Sequence, residues 1–202
     1  MNTSSIPFLR DRAATATRAL EEKEIVHAAT VLDEVRRTQG IVIAAGNGGS
    51  SSTATHFAAD LVKFTRKPDA PHFRALSLTD NIACHTAWTN DDDPRLALAR
   101  LAEPWLPSGP GRRDAAVLFS VHGGSRSGTV SNNLVELAHY VQGRGGDVIA
   151  ITGFDGGALG DLADVHINLP VSDEPIATPA VESIHLLIAH ALCLALSDLE
   201  VE

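Results

Sequence analysis

The chain has 202 residues, 44% hydrophobic and 20% charged. This suits one globular domain with its own core and excludes a disordered or collagen-like chain. Sixteen basic against twenty-five acidic residues leave a net charge of −9, so no nucleic-acid partner is expected. No run of about 18 apolar residues occurs, and the opening residues lack a basic-then-apolar leader, so no membrane span and no export are expected. The two cysteines, Cys84 and Cys193, are far apart in sequence and fit a reducing, cytoplasmic setting.

Residues 8–38 carry Leu9, Ala13, Ala16 and Leu20, then Ile25, Ala28, Ala29, Leu32 and Val35, at spacings of three and four. This pattern predicts a helical pair or one bent helix, whose apolar stripe must be buried against the core or a partner subunit. Strands are predicted at 41–45, 73–78, 115–121, 147–152 and 165–169, and helices at 53–66, 129–143, 156–163 and 180–198. Strands alternating with helices point to an α/β sandwich with a mainly parallel sheet. Residues 104–113, rich in Pro and Gly, read as a surface loop.

Ligands of such folds sit beyond the carboxyl ends of the strands. Two Gly/Ser turns fall there: Gly46 to Thr53, and Ser120 to Ser131. Glycine admits a ligand close to the backbone, the first N–H groups of a helix are unpaired, and serine adds donors of little bulk, which together suit a phosphate. Neither turn is a Walker loop or a well-formed dinucleotide fingerprint. Both also read as plain helix caps and tight turns. His122, after the third strand, is placed to touch a phosphate. Lys63, Arg66 and Arg126 read as surface charges that can assist.

His56 and Asp60 are four apart on one helix, and Glu182 and His190 are eight apart on another. Each pair lies on one helical face. Four such side chains can close around one divalent metal, with zinc well suited and manganese, iron or nickel compatible. His185 lies between the second pair and reads as a core or interface histidine. Trp88 and Trp105 are expected to pack, and both cysteines to be inert thiols. Asp91-Asp92-Asp93 lacks the rest of a calcium loop, and Pro94 follows, so Asp92 or Asp93 reads as a helix cap.

The stretches Ala45-Gly46-Asn47-Gly48-Gly49-Ser50 and His56-Phe57-Ala58-Ala59-Asp60 resemble the motif of SIS-domain phosphosugar isomerases, most closely the sedoheptulose-7-phosphate (phosphoheptose) isomerases. Ile149 to Leu159, Ile167-Asn168-Leu169-Pro170 and Glu182-Ser183-Ile184-His185 leading to His190 have the same look. The resemblance implies a flavodoxin-like SIS domain at 39–202, a five-stranded mainly parallel sheet with helices on both faces. It implies an N-terminal helical oligomerisation segment at 1–38, and a homotetramer with active sites at subunit boundaries. It also implies zinc, with His56 and His190 as metal ligands, Asp60 where the family has glutamate, and Glu182 where it has glutamine. Asn47, Gly48, Gly49, Ser50, Asp91, Ser120 and Ser125 fall on substrate-binding positions, and His122 stands where a serine is usual.

Four departures bear on substrate more than on reaction. Asp60 is one methylene shorter than the family's base and ligand, and Glu182 adds a negative charge to the metal set. The turn after Ser125 is longer than the family's, and Pro179 takes the place of a pocket aspartate. The implied activity interconverts a ketose phosphate and an aldose phosphate through an enediol. Asp60 or Glu182 is then the carbon base and His190 its acid–base partner. The rival is a non-catalytic SIS module that binds a phosphosugar or another protein, such as a replication initiator.

Overall fold

The computed structural model describes residue 3, residues 5–106 and residues 112–197. Two helices, α1 (Ser5–Arg18) and α2 (Glu22–Arg37), open the chain as a pair rather than one bent rod. The alternation that follows is β1 (Val42–Gly46), α3 (Gly49–Lys63), β2 (Ala75–Ser77), α4 (Ile82–Asp91), α5 (Ala97–Ala102), β3 (Ala115–Ser120), α6 (Asn132–Gly143), β4 (Asp147–Gly153), α7 (Gly157–Leu162), β5 (Val165–Leu169) and α8 (Ala177–Leu196). The strands form one parallel sheet in the order β2-β1-β3-β4-β5. The order reverses direction at β1, and the loops after β1 and β3 leave the sheet side by side. That is the switch-point crevice where α/β folds bind ligands.

Strand residues alternate between two cores, as the pleat requires. Val42, Ala44, Val117, Phe119, Ile149 and Ile151 face the helices α1, α2, α3 and α8. Ile43, Ala45, Ala116, Leu118, Val148 and Ala150 face α5, α6 and α7. Every residue of β1 and β3 is buried, which explains their unbroken apolar sequence. Phe57 of α3 stacks edge-on to Phe119 of β3, ring centroids 5.8 Å apart, and fixes α3 on the sheet.

The structure extends or adds elements where local chemistry outweighs periodicity. Helix α3 begins at Gly49, not near residue 53, because Gly48 takes φ +55° and turns the chain straight into the helix. Helix α6 begins at Asn132, not 129, because Ser125 N–H donates to Val130 O at 2.9 Å and Ser131 adopts φ +50°. Helices α4 and α5 were not expected. Helix α4 has no buried residue and so no apolar stripe to betray it; it rests on a cap, Cys84 N–H donating to Asn81 Oδ1 at 3.1 Å. Arg95 N–H donates to Asp93 Oδ1 at 3.0 Å in the turn before α5, but the N-cap of α5 is Leu96 with no side-chain capping bond, so the cap expected of Asp92 or Asp93 is a turn contact instead. Of the loop expected at 104–113, residues 107–111 lie outside the described residues.

Helix α8 is long and apolar enough by composition to cross a bilayer, although Glu182, His185 and His190 interrupt it. Half of it is buried in this fold, packed on α1, α2, α3 and β4. Cys193 is buried there, and burial pushes its thiol up to about 12, so it is inert. Trp88 is half-buried under the Arg100 guanidinium, whereas Trp105 is 48% exposed and departs from the packing role expected of it.

Candidate active site

Helix α3 carries two chemical features on one rod. Its first turn continues the glycine turn Gly46-Asn47-Gly48-Gly49, and two turns further on it presents His56 and Asp60. The neighbouring α8 supplies His190. His56 Nε2 lies 3.2 Å from His190 Nε2 and 3.3 Å from Asp60 Oδ2, and His190 Nε2 lies 3.7 Å from the same oxygen. These three are the set of metal-capable groups that converge among the described residues. A tetrahedral zinc with bonds of about 2.1 Å has donor–donor edges of about 3.4 Å. The triangle has that size, so these residues fit a zinc with one position left open. Both imidazoles are about half exposed, at 48% and 49%.

Glu182, expected as the fourth ligand, stands outside the triangle. Its carboxylate covers Gly49, so closely that a Cβ on Gly49 would lie 2.6 Å from Oε2. A side chain there would displace the carboxylate, which is why the second glycine of the pair is needed. Glu182 is half-buried. A carboxylate over the N-terminal peptide of a helix is favourably placed against the helix dipole.

The glycine turn is braced from across the sheet. Asn47 and Asn133 exchange side-chain hydrogen bonds of 3.0 and 2.9 Å, and Asn47 Nδ2 also donates to Ser131 Oγ at 3.3 Å. The Asn47 amide is thus occupied in holding two loops together. Asn133 escaped sequence reasoning, because an asparagine at a helix start signals only a cap. Beside the turn, Ser51, Ser52, Thr55, Thr79 and His85 help line a cavity of about 510 Å³.

A second cavity, of about 490 Å³, lies beyond β3 and β4 and is lined by His122, Ser125, Arg126, Ser127, Val130 and Phe154, among others. Ser125, Ser127 and Thr129 form a ring of hydroxyls 2.6 to 3.3 Å apart. Arg126 does not point at this ring. It donates to Asp161, Asp155 and the Gly157 carbonyl, clamping the long loop onto α7. The bonds to Asp161 and Asp155 raise the guanidinium's pKa, and its bonds hold both carboxyls below their usual range. His122 stacks on Phe154, centroids 4.3 Å apart, with Nε2 3.6 Å from Glu174. Phe154, at φ +52°, is a wall residue with no sequence signal of its role.

The remaining expected residues fall elsewhere. Ser50 and Ser120 are buried, at 2% and 3% exposure, beneath their turns. Asp91 ends α4, is exposed, accepts from Asn90 at 2.7 Å and lines neither cavity. Within one chain it is not brought to the other site residues.

The model of the SIS domain family matches residues 9–153. The chain belongs to the SIS-domain phosphosugar isomerases. Among curated relatives of this SIS protein, the phosphoheptose isomerase of Laribacter hongkongensis is 34% identical over 84% of this chain and 80% of its own. The lincomycin biosynthesis protein LmbN of Streptomyces lincolnensis is 52% identical over 83% of this chain. This SIS chain spans only 59% of that relative's length. Among solved structures, the phosphoheptose isomerase of Neisseria gonorrhoeae superposes with a TM-score of 0.79 at 26% identity, covering 96% of this chain and 95% of that one. The fold expected from the sequence, a parallel SIS sheet with helices on both faces, is the fold found here and shared with that structure.

Proposed function

We propose that this SIS chain is a metal-dependent aldose–ketose isomerase that acts on a sugar phosphate through an enediol, with zinc as the metal. The observation that carries this reading is the triangle of His56, Asp60 and His190, two corners of which stand on the helix that continues the glycine turn. A cation seat and an anion seat then sit within reach of one short phosphorylated sugar. Zinc, when bound, supplies a positive charge that stabilises the oxyanion developing at the sugar's carbonyl end.

The chain's own residues do the rest. The N–H groups of the Gly48-Gly49 turn, Ser50, Ser120 at the end of β3, and the hydroxyls that follow it, including Ser125, hold the phosphate. Anchoring there orients carbons several bonds away. His122 and Phe154 wall the second cavity, and Asn47 holds the two loops in register. Asp60 is turned toward both imidazoles, whereas Glu182 accepts no hydrogen bond among the described residues. Asp60 or Glu182 takes the proton from one carbon and returns it to the next; Asp60 stands at the metal end, whereas the tip of Glu182 lies over the glycine turn. His190 exchanges the hydroxyl proton in the opposite sense.

Sedoheptulose 7-phosphate is the first substrate to test, since a phosphoheptose isomerase is 34% identical and is matched over 80% of its length. A sugar phosphate of a specialised biosynthesis is the second reading, favoured by the 52% identity to a lincomycin biosynthesis protein and by the long loop after Ser125. We assign residues 1–38 to oligomerisation and 39–202 to the SIS domain, in a cytoplasmic homotetramer. Val62 and Phe64, which follow Asp60 in the chain, and Leu187 and Leu194, which line a surface hollow with His190, are each 43–45% exposed, an apolar surface that a partner subunit would cover. Asp91 acts at a subunit boundary in this arrangement.

The test is an isomerase assay of zinc-loaded protein with sedoheptulose 7-phosphate, beside His190→Ala and Asp60→Asn. Turnover falling by about a hundredfold or more in both is the expected result. Undiminished turnover removes the mechanism. Turnover on other sugar phosphates alone supports the second reading.

A further inference from the structure

His185 is a buried histidine for which the mechanism above has no use. It is fully buried on α8, its ring packed against Phe119 with centroids 5.7 Å apart. Nδ1 lies 3.4 Å from Ser50 Oγ, and Nε2 is buried without a hydrogen-bond partner among the described residues. Burial pushes its pKa down to about 4, so the ring is neutral at physiological pH. Two neutral tautomers therefore compete, and they treat Ser50 oppositely.

With the proton on Nε2, a buried N–H has no acceptor, and Ser50 must spend its O–H on Nδ1. With the proton on Nδ1, that N–H donates to Ser50 Oγ and only a bare lone pair is left at Nε2. Orphaned buried N–H groups are rarer and costlier than under-satisfied acceptors. We propose that His185 is a positioning residue whose Nδ1–H tautomer fills the acceptor side of Ser50 and leaves the Ser50 O–H free to donate to an anion on the glycine turn. The orphaned nitrogen is what selects the tautomer. Ser50 is then a donor of fixed direction rather than a freely rotating hydroxyl, preorganised for the phosphate end of the substrate. This rests on the proposed anchoring of phosphate at that turn.

Two measurements test it. A long-range proton–nitrogen NMR spectrum of the zinc-loaded protein, with His185→Asn for assignment, reads the tautomer directly. A protonated Nδ1 and an unprotonated Nε2 are expected; the reverse overturns the proposal. Titration with inorganic phosphate is the second. His185→Phe, which keeps an aromatic ring and removes the donor, weakens binding by about tenfold, as does Ser50→Ala. The double variant is no weaker than Ser50→Ala alone. His185→Asn, whose amide N–H falls near the place of Nδ1–H, recovers most of the affinity. Wild-type affinity in His185→Phe, or losses that simply add, overturns the proposal. If His185→Phe does not fold, the ring spectrum of the unaltered protein still decides. Turnover of the unaltered protein is assayed alongside. Phosphate binding that depends on His185 without turnover sinks the isomerase reading alone; turnover with an Nε2–H ring sinks this proposal alone.

Discussion

The Nε2 atoms of His56 and His190 face each other across 3.2 Å although 134 residues separate them in the chain. Two imidazoles brought this close, with Asp60 on the third corner, gain more from sharing a cation than from one neutral hydrogen bond. His56→Ala or His190→Ala should therefore lower zinc affinity by about a hundredfold or more. Metal content after dialysis, read by atomic emission, checks this without any assay of turnover. Stoichiometric zinc retained by both variants would falsify the shared site.

Gly46 and Gly49 predict opposite failures. A Cβ on Gly46 would meet the Ser50 backbone at 2.6 Å, which cannot yield without moving α3. A Cβ on Gly49 would meet only the movable end of Glu182, also at 2.6 Å. Gly46→Ala should cost about 3 kcal/mol or more in urea denaturation. Gly49→Ala should melt close to the unaltered protein yet turn over at least about tenfold more slowly, because the side chain and the displaced carboxylate disturb the turn proposed to hold the phosphate.

Arg126 ties the loop bearing Ser125, Ser127 and Thr129 to α7 through Asp161 and Asp155. Arg126→Ala should raise the KM for sugar phosphate several-fold with kcat nearly unchanged, while the melting curve hardly moves, since exposed ion pairs add little. The clamp lowers both carboxyl pKa values. Its contribution is therefore present above the ordinary carboxylate range and is lost only as pH falls through the lowered values. Phosphate affinity of the unaltered protein that collapses already near pH 5 through opening of this loop contradicts the assignment.

His185 gives stability an acid dependence. Its folded pKa, about 4, lies below the ordinary histidine value, so between the two the unfolded chain binds more protons. Stability from this group is complete above about pH 6.5, declines as pH falls toward 4, and declines no further below it. The loss is on the order of 3 kcal/mol. Denaturant midpoints at pH 7, 5.5 and 4.5 should follow this slope, and His185→Asn should not show it. Equal slopes in both proteins would place the acid sensitivity elsewhere.

Much of this was legible before any coordinates. The buried strands Val42–Gly46 and Ala115–Ser120 are written as unbroken apolar runs, and the pair His56/Asp60 is a one-turn spacing that survives in space. Spacing gives the face of a side chain but not the reach of its tip, so Glu182 shared a helical face with His190 and still ended over Gly49. Helix α4 was invisible because it buries nothing. The Asn47–Asn133 bridge was invisible because it spans 86 residues and consists of two ordinary polar side chains. Arg126 read as a solvated charge, and only the fold brings Asp155 and Asp161 under it.

Because one straight helix bears both the glycine turn and His56, it works as a ruler. Seven residues from Gly49 to His56 measure about 10 Å along an α-helix, and Phe57, wedged on Phe119, keeps that rod from sliding. The length of molecule that can touch both ends is thereby written into helical pitch. One inserted residue within that span would swing the imidazole about a hundred degrees off the line to α8 and blind the ruler without altering a single reactive group.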